Sequence, residues 1–151
     1  MKHNMIYAQC AAIFLLLFLF MAGLQARTQN QKPADTPSPA GWTDPATLIT
    51  WITADNGANV TWDEADAYCT NLSLGGYTDW RLPTIEELNS IYDANAGDQH
   101  VKGNLKLSSG YQWSSSRKGT REARIFDFMI GRPSYKLLAL RTFNRTLCVR
   151  H

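Results

Sequence analysis

The stretch Gly75-Gly76-Tyr77-Thr78-Asp79-Trp80-Arg81-Leu82-Pro83-Thr84-Ile85-Glu86-Glu87-Leu88 decides how the rest of the chain is organised. It opens with a glycine turn that stops a preceding helix, passes through a short apolar segment carrying one arginine, and enters a second helix. Thr84 and Glu87 mark that second start: in a capping box the threonine oxygen accepts from the Glu87 amide while the glutamate reaches back to the Thr84 amide. Pro83, just outside the helix, holds Leu82 extended. Ile85, Leu88, Ile91 and Tyr92 recur at helical spacing, which predicts an amphipathic helix of about ten residues. Arg81, between Trp80 and Leu82, needs a carboxylate or carbonyls for its guanidinium. Asp79, Glu86 or a distant carboxylate would give it a structural role, and contact with a ligand is the other reading.

The same stretch resembles the signature of a bacterial domain family named for the C-terminal domain of a Legionella collagen-like adhesin, the Lcl-type C-terminal domain. The likeness continues upstream in Thr61-Trp62-Asp63-Glu64-Ala65 and Tyr68-Cys69, and downstream in Trp113-Ser114-Ser115-Ser116 and Leu147-Cys148-Val149-Arg150. It covers most of residues 42–151. The resemblance implies a C-type lectin-like architecture, distantly similar to formylglycine-generating enzymes.

Residues 1–26 read as a signal peptide: Lys2 and His3 precede an apolar core at 11–22, and Leu24-Gln25-Ala26 ends on a small residue. The run is short against the roughly 20 apolar residues of a transmembrane helix, and an uncleaved N-terminal anchor is the alternative. Residues 27–41, polar and carrying Pro33, Pro37 and Pro39, read as a linker. Residues 42–151 then form one domain with one core. Once Cys10 leaves with the signal, Cys69 and Cys148 remain as an even pair in an oxidising compartment, and a disulfide between them is expected, with a catalytic thiol as the competing reading. A bridge between the first helix and the last strand also agrees with the whole-domain bridge of C-type lectin-like domains.

Within that domain, residues 48–53 are β-branched and aromatic and read as a first strand before the turn at Asp55-Asn56-Gly57. Thr61 and Glu64 form a second capping box, and Trp62, Ala65, Tyr68, Cys69 and Leu72 keep helical spacing up to the glycines. Residues 95–109 read as a loop with a short strand at 105–107. Strands are predicted at 111–115, 123–130 and 137–149, the last interrupted near Phe143-Asn144, with a hairpin turn at Gly131-Arg132-Pro133-Ser134. Two helices followed by a mainly antiparallel sheet make an α+β domain.

Enzyme signatures are scarce. His100 and His151 have no spacing that suggests a metal site or a triad, Ser114 to Ser116 lack a neighbouring base, and no phosphate-binding glycine loop occurs. Formylglycine-generating enzymes require active-site cysteines, and none is spare. Asp63, Glu64 and Asp66 cluster where acids stabilise a helix start without any metal, and the calcium motifs of carbohydrate-binding C-type lectins are absent. No catalytic residue, metal ligand set or cofactor is therefore expected.

Charge carries the clearest functional signal. The whole chain has a formal net charge of +2, yet residues 41–100 hold ten acids and one base, Arg81, while residues 101–151 hold eleven bases and two acids, Glu122 and Asp127. The basic half can pair internally with the acidic half, or its cations can meet a ligand. Arg117, Lys118 and Arg121 fall between two predicted strands and Arg132 at the next turn, so these cations should project from loops. With Lys136, Trp113 and Tyr135 they form the candidate ligand-binding set, suited to an anionic polysaccharide or a surface protein. The Legionella member is associated with glycosaminoglycan binding, which the resemblance extends here by analogy. The expected function is adhesion or glycan binding by a secreted, periplasmic or envelope-tethered module, without nucleic acid. The alternative is an assembly domain that forms a homo-oligomer through complementary acidic and basic faces.

Overall fold

The computed structural model describes residues 41–151; residues 1–26, read as a signal peptide with Cys10, and residues 27–40, read as linker, lie outside the described residues. Gly41, read as the last linker position, is already buried against the Trp51 backbone.

Both capping boxes form. Helix α1 (Trp62–Thr70) starts at Thr61, whose Oγ1 accepts from the Glu64 amide at 3.3 Å while Glu64 Oε2 accepts from the Thr61 amide at 2.8 Å. Helix α2 (Ile85–Ser90) repeats the arrangement with Thr84 and Glu87 at 3.2 and 2.8 Å. Helix α2 is six residues long rather than about ten, because the Ser90 hydroxyl donates to the Glu87 carbonyl at 2.7 Å and the Tyr92 amide bonds Asn89 three residues back. Its apolar face is as expected: Ile85, Leu88 and Ile91 are buried.

Helix α1 ends earlier than the glycines, at Asn71, whose side-chain amide donates to the Ala67 carbonyl at 2.7 Å. Gly75 and Gly76 are instead the two central residues of a tight hairpin. Leu74 and Tyr77 exchange both backbone hydrogen bonds at 3.1 Å, and the glycines take φ of +64° and +81°, as such a turn requires.

Two sheets complete the α+β architecture. Strands β1 (Trp42–Thr43), β2 (Thr50–Trp51) and β7 (Val149–Arg150) form an antiparallel sheet in the order β1-β2-β7. Strands β3 (Tyr111–Lys118), β4 (Glu122–Asp127), β5 (Arg132–Leu137) and β6 (Asn144–Arg145) form the second in the order β5-β4-β3-β6, antiparallel except for β3 against β6. The first strand is shorter than residues 48–53 because Leu48 takes φ of +61° to close the loop that Asp44 organises, accepting at 3.0 Å from both the Ala46 amide and the Thr47 hydroxyl. The strand expected at 105–107 is one bridge, Lys106 against Ala54.

Boundaries in the large sheet differ from expectation in a way that matters for the cations. Strand β3 runs on to Lys118, so Arg117 and Lys118 lie in a strand and the loop shrinks to residues 119–121. Strand β4 stops at Asp127, and the next turn occupies residues 128–131, closed by Gly131 donating to Asp127 at 2.8 Å. Arg132, Pro133 and Ser134, read as turn residues, begin β5. That strand lies at the edge of the sheet, exposed along most of its length, so it shows no apolar alternation and tolerates a proline. The region 137–149 is correspondingly two short strands joined by irregular chain.

Between sheets and helices lies a core built on Trp51, Leu88, Ile91, Trp113, Ile125, Phe126 and Phe128, all fully buried. Cys69 of helix α1 is bonded to Cys148 beside β7, across a sequence separation of 79, as an oxidising compartment permits. Arg81 exchanges both backbone hydrogen bonds with Val149 at 2.9 Å, so the central stretch and the disulfide secure the same strand.

Candidate anion-binding face

The motif residues resolve into two arginine–carboxylate forks. Arg81 Nη1 and Nη2 donate to Glu87 Oε2 and Oε1 at 2.8 and 2.6 Å, so the partner is the capping glutamate and not Asp79 or Glu86. Burial pushes the Glu87 carboxyl up, but the Arg81 fork and the Thr84 amide more than offset this and hold it below its ordinary value. Arg81 is raised in turn, chiefly by its hydrogen bonds to Glu87. Asp79 is taken by Arg150, at 2.8 and 3.1 Å, and held low by it, while the Arg150 guanidinium also sits 3.6 Å from the Tyr77 ring centre. Trp80 is buried. Arg81 thus has a structural role, with its Nη2 also 2.9 Å from His151 Nε2.

The divided charge is satisfied in part within the molecule. Arg124, Arg141 and Arg150 of the basic half pair with Glu86, Glu64 and Asp79 of the acidic half. Glu64 is held below its ordinary value first by the Thr61 amide, with Arg141 contributing. Among the described residues Arg117, Lys118, Arg121, Arg132 and Lys136 make no ion pair with a carboxylate.

Strand register divides these cations between two faces. Lys136 opposes Ala123, Arg132 opposes Asp127 and Arg117 opposes Ala123 from the other side, so these three share the face of Trp113 and Ile125. Lys118 opposes Glu122 and Tyr135 opposes Arg124, on the face that carries helix α2. Several are held over rings rather than free in solvent. The Lys136 ammonium lies 4.4 Å from the Tyr111 ring centre, the Arg117 guanidinium 4.8 Å from that of Trp62, and the Lys118 ammonium 4.6 Å from that of Tyr135. Arg117 also donates to the Thr120 carbonyl at 3.1 Å, which stiffens the hairpin tip where Arg121 is exposed.

Trp113 does not belong with this set. It is fully buried and its indole donates to the Val60 carbonyl at 2.9 Å, because the apolar face of β3 turns inward at that position. Sequence reasoning misses Arg124, which enters it only as charge. Alternation along β4 puts it on the face of Phe126, under helix α2, and its guanidinium lies 5.8 Å from the Tyr135 ring centre. Arg124, Ile85, Glu86, Asn89 and Pro133 line a groove of about 240 Å³ between helix α2 and the edge strand. A carboxylate or sulfate entering it would meet the Arg124 guanidinium.

Among the described residues no group of three or more His, Cys, Asp or Glu is placed to hold a metal ion; of the helix-start acids, Glu64 is engaged by its cap and by Arg141. No curated protein matches the chain. Residues 41–150, the fold from Gly41 to the last strand, match the family model of the Lcl C-terminal domain, and the likeness carried by the central stretch is therefore membership: the chain belongs to that family.

Proposed function

We propose that the protein is an exported, non-catalytic adhesion module of C-type lectin-like architecture that holds an anionic glycan on its basic sheet. The observation that supports this most is the selective pairing of charge. Arg141 and Arg150 are used internally against the acidic half, whereas Arg117, Lys118, Arg121, Arg132 and Lys136 have no carboxylate partner among the described residues and lie on the β3–β4 hairpin and the adjoining edge strand, with Lys118 on the face of helix α2 and Arg117, Arg132 and Lys136 on the other. Cations held over aromatic rings keep their hydrogen-bond donors available while losing little freedom on binding. Tyr135 adds an exposed ring on the same strand.

The second reading is self-association. Asp63, Asp66, Asp93 and Asp98 likewise make no ion pair among the described residues, so an unpaired acidic surface exists to receive the basic one from another copy.

Heparin-column retention of the disulfide-bonded protein separates the two, beside a variant with Arg117, Lys118 and Arg121 changed to Ser. Retention to high salt that the variant loses is the expected result. Early elution of both, together with a salt-sensitive dimer in light scattering, would replace the glycan reading with assembly.

A further inference from the structure

We infer that the groove between helix α2 and the edge strand is a receptor for a single carboxylate of a uronic acid ring, and that Glu86 occupies its place in the free protein. The inference rests on the anionic-glycan reading above and names the ligand chemistry of one subsite within it.

Arg124 is the cation that lines the groove, and its position is unusual for an internal ion pair. Its Nε is buried without a hydrogen-bond partner among the described residues, and its one carboxylate contact among them is Nη1 to Glu86 Oε1 at 3.8 Å, too long for a hydrogen bond. The Glu86 side chain is 76% exposed, so little but this weak attraction holds it there. Contrast Arg81, whose two terminal nitrogens are both within 2.8 Å of Glu87. The two terminal nitrogens of Arg124 make no hydrogen bond among the described residues, and on a side chain 31% exposed they are suited to a planar carboxylate that can take both at once. Lys118 lies 4.6 Å from the same Tyr135 ring that Arg124 approaches at 5.8 Å, so a second positive charge stands on this face of the sheet.

The surroundings favour a sugar over an acidic peptide. Tyr135 and Leu137 are exposed on the helix-covered face of the edge strand, with Pro133 in line with them, and Asn89 borders the groove with an amide able to donate and accept. One pyranose ring presents both a C–H face for such a row and hydroxyls for such an amide. The groove is smaller than the roughly 300–1,000 Å³ of sites that enclose larger ligands, which limits it to one such unit of a longer chain.

The test is a nuclear magnetic resonance titration of the full chain, disulfide intact, following Arg124 Nε–H and the Tyr135 ring. The probes are oligogalacturonate, a neutral galactose oligomer of the same length, and triglutamate. Oligogalacturonate alone is expected to shift these signals. Arg124→Lys should weaken its binding about tenfold or more, since the charge stays and the two-bond geometry goes. Glu86→Gln, an exposed change that spares the fold, should strengthen it about two- to fivefold by removing the resident competitor. Unchanged or weaker binding in Glu86→Gln, equal shifts from the neutral oligomer, or a preference for triglutamate each overturns the inference. Heparin retention that depends on Arg117, Lys118 and Arg121, with no oligogalacturonate shift, overturns this subsite and leaves the broader glycan reading in place. Neither retention nor shift overturns both.

Discussion

Glu87 serves a helix and an arginine with one carboxylate: its Oε2 lies 2.8 Å from the Thr84 amide that opens helix α2 and 2.8 Å from Arg81 Nη1, while Oε1 takes Arg81 Nη2 at 2.6 Å. Because Arg81 is paired through its backbone to Val149, this one side chain links the start of a helix to the last strand. Removing it leaves an amide without its cap and a guanidinium, 38% exposed, without its counter-charge. Glu87→Ala should therefore lower stability by about 2–3 kcal/mol, and Arg81→Lys, which keeps the charge but not the fork, by about 1 kcal/mol. Urea denaturation of the disulfide-bonded protein measures both, and a loss under about 0.5 kcal/mol for Glu87→Ala would show that the fork contributes nothing net.

The same carboxyl gives stability a dependence on pH. Its folded pKa is depressed below the ordinary 4.5, so its contribution is fully present above that value and is lost as pH falls through the lowered one. The acid limb of the stability curve should begin below about pH 4.5 and be shallower in Glu87→Gln, which cannot titrate. Identical acid limbs for the two proteins would assign the loss to other carboxylates, of which Asp79 and Glu64 are the depressed ones.

Cys69 and Cys148 close a loop with a sequence separation of 79, and chain-entropy reasoning gives such a bridge about 4 kcal/mol. Both residues are fully buried, so replacing them by alanine tests the bond without exposing new polar surface. The double alanine variant should lose about 4 kcal/mol and unfold at a correspondingly lower urea midpoint. A loss below about 1 kcal/mol would mean that the Arg81 to Val149 pairing already restrains the same ends in the unfolded ensemble.

Helix starts and the disulfide are legible because each depends on a rule written in a few residues: Thr61 with Glu64, Thr84 with Glu87, and the two cysteines within residues 41–151. A turn does stand at Gly75-Gly76, but the helix stop read there is misplaced, because a glycine pair ends a helix or turns a hairpin equally well and the choice depends on Asn71 capping four residues earlier. Strand β5 is hidden for a different reason: an edge strand needs no apolar alternation, so Arg132 to Lys136 look like a turn followed by polar chain. Those same boundaries set which way each cation points: Arg117, Lys118 and Arg132, expected in loops, lie in strands, and Arg121 stays in the turn. Arg124 carries a signal that is there to be read, since Arg124 and Phe126 alternate with Ala123 and Ile125 along β4.

Gly131 closes the turn between β4 and β5 with φ of +66°, and a Cβ there would run into the Tyr92 ring. Gly57 has nearly the same backbone, φ of +67°, with open space where a Cβ would stand. Alanine at Gly57 should thus report the backbone cost alone, about 1 kcal/mol, and alanine at Gly131 that cost plus the clash, about 2–4 kcal/mol. Equal losses from thermal or urea unfolding would show that Tyr92 moves aside freely.

Trp113 offers the sharpest separation of fold from function, because its sequence context places it with the ligand cations and its side chain is fully buried. The indole donates to the Val60 carbonyl at 2.9 Å, tying β3 to the chain entering helix α1. Trp113→Phe keeps an aromatic in the core but leaves that carbonyl without its donor and a gap where the second ring stood. Stability should fall by about 2–3 kcal/mol, while heparin retention of the folded variant stays at the wild-type salt concentration. Tyr135→Ala should do the reverse: its ring is 49% exposed, so little burial is lost, but Lys118 and Arg124 lose the surface that positions them and retention weakens. Retention that fell with Trp113→Phe and not with Tyr135→Ala would move the binding face away from the edge strand altogether.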